Sequence, residues 1–124
     1  MDEKVTAIYT ELASILKAHT PLLQVKKEGE KGLEVAGTKP GMQGKQKVDG
    51  YYFASIVPKP KDVRLYFFPI YTHASEFEHI SPELRKCLKG KSCFHIKNLD
   101  EGLEEQIRDM VQLGIDLYKK DELI

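Results

Sequence analysis

From Asp100 onward, Leu103, Ile107, Met110, Val111, Gly114, Leu117 and Tyr118 fall within about 120° of arc at 100° per residue, while Glu101, Glu105, Asp109 and Asp116 fall opposite. A helix with so one-sided a stripe must lay it on an apolar surface elsewhere in the chain. Gly114 sits near the middle of the stripe, where a missing side chain lets the helix come close to its partner, at a cost of ~1 kcal/mol in helix propensity. That partner is readable. Tyr51 to Val57 and Val63 to Phe68 are dense in aromatic and β-branched residues and flank Pro58-Lys59-Pro60-Lys61-Asp62, the pattern of a hairpin.

The remaining elements follow from the same rules. Between Asp2 and His19, Val5, Ile8, Tyr9, Leu12, Ile15 and Leu16 recur at helical spacing, and Thr20-Pro21 stops them because proline disfavours helix in the residue before it. Leu22 to Lys27 and Gly32 to Ala36 predict a strand pair around a Glu28-Gly29-Glu30-Lys31 turn. Gly37 to Gly50 holds four glycines, a proline and three lysines with almost no apolar periodicity, and is expected to be a long exposed loop. Two short helices are expected before the last strand. The second is marked by the Ser81-Pro82-Glu83 start and the Gly90 stop. Ser92 to Lys97 then predicts a strand with Cys93 and His95 on one side and Phe94 and Ile96 on the other. The order α-β-β-β-β-α-α-β-α, with short turns between neighbouring strands, predicts a single α+β domain over residues 1–124, with an antiparallel sheet and the N-terminal and C-terminal helices packed on it.

Charge and cysteine content narrow the function classes. Nineteen basic side chains balance 19 acidic ones in 124 residues, yet the net charge runs −1 over residues 1–20, +4 over 21–64, +2 over 65–99 and −5 over 100–124. The chain is dipolar, with a basic middle and an acidic end. No apolar run approaches the roughly 18 residues of a membrane span, and the charged start is unlike a signal peptide, so the expectation is a cytoplasmic protein with no membrane partner. Cys87 and Cys93, five residues apart, fit no C-x-x-C spacing and are expected as reduced thiols.

Gly50-Tyr51-Tyr52-Phe53-Ala54-Ser55, Leu65-Tyr66-Phe67-Phe68-Pro69 and the long block from Ile80-Ser81-Pro82-Glu83-Leu84 to Gly90-Lys91-Ser92-Cys93-Phe94 resemble the YdhG-like family of small bacterial domains of unknown function. The resemblance covers residues 50–118, including Gly114 and Tyr118. It implies an α+β fold with a curved antiparallel sheet covered by helices. Distant members are described as frataxin-like iron chaperones, so the resemblance also implies an iron-binding alternative. It implies no role for His95, where members often carry asparagine.

Each cluster of chemically capable residues has a competing packing explanation. His73-x-x-Glu76-x-x-His79 offers ligands for zinc or ferrous iron, but residues six apart on a helix diverge by about 120°, and His73 shares a face with Phe77 and Ile80, as a partly buried packing residue would. Cys93 beside His95 invites a thiol site, against which stands the tendency of free cysteine to serve as a small core hydrophobe. Gly90-Lys91-Ser92 lacks the upstream glycine of a phosphate loop, since Arg85 stands there. Iron chaperoning would need gathered carboxylates, and Glu101, Glu105 and Asp109 belong, with Asp100 and Glu104, to the densest set available, which opens the last helix, where the helix dipole already favours acids.

Eight of the eleven aromatic residues lie between Tyr51 and Phe77. Strict alternation sends Tyr51 and Phe53 to one side and Tyr52 to the other, and splits Tyr66 and Phe68 from Phe67. One sheet face is therefore expected to form an aromatic wall, with Tyr51, Phe53, Tyr66, Phe68 and Tyr71 as candidate ligand contacts. Lys45, Lys47 and Lys91 would neighbour it and the Gly37–Gly50 loop would act as its lid. The competing explanations are burial under helices, a homodimer through that face, and, least favoured, single-stranded nucleic acid stacked on the rings. The expectation is a non-catalytic domain binding a small ligand or a protein partner, with no cofactor unless iron serves the frataxin-like alternative. A small enzyme is a third option.

Overall fold

A computed structural model describes residues 2–124. The chain opens with helix α1 (Glu3–Lys17), capped by the Asp2 carboxylate, which accepts from the backbone N–H of Lys4 at 2.7 Å. Strands β1 (Leu23–Gly29) and β2 (Gly32–Gly37) follow, turning tightly through Glu30-Lys31 rather than through the four residues expected. A small separate hairpin, β3 (Gly41–Gln43) and β4 (Gln46–Val48), replaces the expected loop. Gly44 supplies the positive φ of 65° that its two-residue turn requires. β5 (Tyr52–Pro58) and β6 (Val63–Phe67) form the predicted hairpin.

Between β6 and the last strand the helical content is broken into pieces: α2 (Pro69–Thr72), a 3₁₀ turn (Ala74–Phe77) and α3 (Pro82–Cys87). The Ser81 hydroxyl caps α3 by accepting from the N–H of Leu84 at 3.1 Å. β7 (Cys93–Ile96) and the long α4 (Glu101–Lys120), capped by Asp100, complete the chain. The five-stranded sheet has the order β1-β2-β5-β6-β7, all antiparallel, and is open and uncurled, an α+β architecture. Among the described residues no helix is long and apolar enough to cross a membrane.

Both long helices serve one sheet face. α1 buries Val5, Ile8, Leu12, Ile15 and Leu16, and α4 buries Leu103, Ile107, Met110, Val111, Ile115 and Tyr118, in one continuous core with Leu33, Val35, Ala54, Ile56, Val63, Leu65, Phe67, Phe94 and Ile96 of the sheet. Gly114 does what its place in the stripe predicts. A Cβ there would sit 2.8 Å from the Phe67 ring and 3.2 Å from the Phe53 ring, so the helix rides directly on these two side chains.

Phe53 reaches that core through an irregularity. The β2–β5 register runs Val35 to Ala54 and then Ala36 to Tyr52, leaving Phe53 without a partner on β2. This is a β-bulge, and it turns two consecutive residues, Phe53 and Ala54, into the same buried face. Alternation resumes on either side with its phase reset. Tyr52 and Ser55, which strict alternation would separate, therefore share the opposite face, and their hydroxyls lie 2.7 Å apart.

Candidate functional site

The face away from the helices keeps its centre open. Cross-strand pairing carries one row of side chains over all five strands, Lys27 to Glu34 to Ser55 to Tyr66 to Cys93, since directly paired residues share a face. A second row runs Val57 to Arg64 to His95. Tyr52 stands beside the first row, joined to it through Ser55. All of Tyr52, Ser55, Arg64, Tyr66, Cys93 and His95 are half-buried, which leaves polar atoms in contact with solvent on a rigid scaffold.

The floor is walled at the β1–β2 side. Two clefts, of about 400 Å³ and 600 Å³, share Glu34 as a lining residue. The smaller runs under the β1–β2 turn to Ser55 and Val57, and the larger lies against the β3–β4 hairpin, between Lys26, Gln43, Lys47, Asp49 and Tyr52. The hairpin is pinned to the sheet where Gln43 Oε1 accepts from the Tyr52 N–H at 3.2 Å, and Lys39, two residues before the hairpin, donates its N–H to the carbonyl of Leu123 at 3.2 Å.

Protonation at neutral pH follows from partial burial. Desolvation pushes the Tyr52 hydroxyl up to about 12, only partly offset by its bond to Ser55. It also raises Tyr66 and Cys93. The Cys93 thiol is thus kept protonated, contrary to the lowering that a neighbouring imidazolium would bring. His95 is held below its ordinary value by burial and then by the Arg64 guanidinium, against the pull of Asp62. Over β5, β6 and β7 the two rows therefore present neutral hydroxyl, thiol and imidazole groups beside the Arg64 cation.

The sequence-predicted ligand contacts divide. Tyr66 is at the centre of the open face, and Phe68 continues it, its ring centroid 5.4 Å from Tyr52 and 5.8 Å from Tyr71. Tyr71 is 50% exposed and carries the Lys91 ammonium 5.5 Å from its ring centroid, a cation–π contact. Lys47 lines the larger cleft and Lys45 lies in the hairpin turn. Phe53 is corrected: the bulge drives it into the core, fully buried edge-on to Phe67 and Tyr118. Tyr51 is half-buried at the rim, 5.6 Å from Tyr118 and 5.8 Å from Phe68. Cys93 and His95 are corrected too, since they belong to the open face and not to the core.

The metal candidates are spread apart. His73 Nε2 bonds Asp121 at 2.7 Å and Nδ1 meets the Thr72 hydroxyl at 2.8 Å, so its ring joins α2 to the end of α4. Glu76, His79 and Asp109 line one cleft of about 350 Å³ between the 3₁₀ turn, α3 and α4. Glu101 and Glu105 are exposed on the outer side of α4. Among the described residues no three His, Cys, Asp or Glu side chains stand close enough to share an ion.

Sequence reasoning missed Tyr52, Ser55, Glu34 and Arg64. Their grouping depends on register between strands, and the sole local signal was the excess of aromatics in a single strand, more than one face could take. In comparisons with family models, curated proteins and solved structures, no match to this chain is found.

Proposed function

We propose that the chain is a small non-catalytic binding domain that takes a flat, anionic small molecule on the open face of its sheet. The observation that supports this reading is the uninterrupted polar and aromatic row from Lys27 to Cys93, walled by two clefts and backed by a helix-covered core. Tyrosine rings offer flat apolar contact at little entropic cost, while their hydroxyls, Ser55 and Arg64 orient a polar ligand. Raised thiol and phenol pKa values favour hydrogen-bond donation over nucleophilic attack, which supports the binding reading. The YdhG-like resemblance is compatible with this reading and adds no ligand to it.

The test is an amide chemical-shift titration of the full chain with salicylate and indole-3-acetate. The expected outcome is movement at Glu34, Ser55, Tyr66 and Cys93, reduced at least about threefold in affinity by Tyr66→Ala, since one aromatic contact is worth roughly 0.5–1.5 kcal/mol beyond its area. Shifts confined to α4, or none at all, would sink it. Line broadening of the same amides that grows with protein concentration would instead identify the face as a dimer contact.

A further inference from the structure

We propose that the β6–β7 end of the open face is a phosphate subsite, so that the ligand is a phosphate monoester whose flat ring lies on Tyr66; this rests on the reading above and names its ligand class. Arg64 and His95 are direct cross-strand partners on the open side. Between them the Asp62 carboxylate, only 7% exposed, accepts from Arg64 Nε at 2.9 Å and stands 3.9 Å from His95 Nδ1. Asp62 thus grips the guanidinium from behind. Its two Nη groups take no protein acceptor among the described residues, and a guanidinium fixed at Nε presents a fork that matches an oxyanion.

Further positive charge surrounds this fork. Lys97 lies two residues beyond His95, just past the end of β7, and the Lys89 N–H donates to the Cys93 carbonyl at 2.7 Å, which sets Lys89 beside that strand; both lysines are exposed. Asp62, Arg64, Lys89 and Lys97 are the charged groups that act on His95, and the three cations outweigh the one carboxylate. At the other end of the open face Lys27 stands opposite Glu34, a balanced pair. A dianionic phosphate answers the uncompensated end, and a carboxylate does so less fully. Tyr66 follows Arg64 by two residues on the same face, close enough for a ring attached to that phosphate to lie over it.

The experiment follows the His95 ring by proton NMR across a pH series of the full chain, alone and with adenosine monophosphate, inorganic phosphate or a thymidine oligonucleotide. Adenosine monophosphate should raise the His95 midpoint by about one pH unit, as a nearby anion favours the imidazolium. Inorganic phosphate should act in the same direction with about tenfold weaker affinity, lacking the ring contact. The double change Lys89→Gln and Lys97→Gln, at exposed residues that leave the fold intact, should weaken adenosine monophosphate at least about threefold. Arg64→Lys, which keeps the charge and removes the fork, should weaken it comparably. A His95 midpoint indifferent to both phosphates would overturn the subsite, as would undiminished affinity in the lysine variant. Affinity that climbs with oligonucleotide length past that of the mononucleotide would also overturn it, in favour of a nucleic-acid surface. If salicylate still moves Ser55 and Tyr66 while His95 ignores phosphate, the subsite alone fails; if nothing moves that face, the binding reading fails with it.

Discussion

The two faces of the sheet are built from the same strands and from similar residue types, yet they answer to different physics. On the covered face the aromatic side chains meet edge-on at 5.1–5.5 Å and lie fully buried under α1 and α4. On the open face the rings and polar groups are half-buried, and the Tyr52 and Ser55 hydroxyls bond each other, which helps fix their orientation. Removing a side chain from the first should therefore cost stability, and removing one from the second should cost binding.

The sharpest contrast lies between rings on the adjacent strands β5 and β6. Phe53→Ala should lose about 3–5 kcal/mol, through lost burial and the cavity left between Phe67, Tyr118 and Gly114. Tyr66→Ala should lose about 1 kcal/mol or less while weakening the ligand. Urea denaturation of both variants tests the pair, and equal losses would break the distinction between the faces. Next in size is Gly114→Ala. Its Cβ must displace a packed Phe67 ring from 2.8 Å, an overpacking cost of about 1–3 kcal/mol, against ~1 kcal/mol gained in helix propensity. A net loss of up to about 2 kcal/mol is expected, and a more stable variant would mean that helix and sheet are less tightly fitted than the geometry requires.

Two titrations probe the comparison more gently. Burial raises Tyr52 to about 12 and raises Tyr118 further, so the folded chain holds these protons at a pH where the unfolded chain, near 10, releases them. Their contribution is complete below pH 10 and is lost as pH rises through the folded values. Absorbance at 295 nm should show late-titrating tyrosines, with the step near 12 missing in Tyr52→Phe. The smallest effect is acidic. His19 and His95 are both lowered by desolvation from the ordinary 6.5, so their contribution is complete above that value and is lost as pH falls through the folded ones. Midpoint urea concentrations between pH 7 and 5 should drift downward, and a flat profile in His19→Gln would assign the drift to the α1 end of the molecule rather than to the open face.

What could be read from the sequence was whatever repeats locally. The stripe of α4 and the role of Gly114 follow from spacing at 3.6 residues, and the β5–β6 hairpin from composition and a proline-rich turn. The fate of Phe53 does not, because an all-aromatic run offers alternation nothing to discriminate, and a bulge appears only when β2 is laid beside β5. The β3–β4 hairpin escaped for a related reason. It has no apolar pattern of its own and is held by a glycine turn and by bonds to distant partners, Gln43 to Tyr52 and Lys39 to Leu123. Of the candidate site, Tyr66 and Phe68 were legible, whereas the row through Glu34 and Ser55 exists only as a product of pairing.

The bulge at Phe53 also sets how many rings β5 can send inward. Deleting that one residue would place Tyr52 and Ala54, already opposite Ala36 and Val35, in uninterrupted alternation, with Tyr52 and Ser55 still outward and Ala54 and Ile56 still inward. The open face would keep its facing, whereas the core would lose the ring that packs against Gly114 and Tyr118. The additional residue is thus the means by which one strand lends a second consecutive side chain to the interior without turning over the row on its other side.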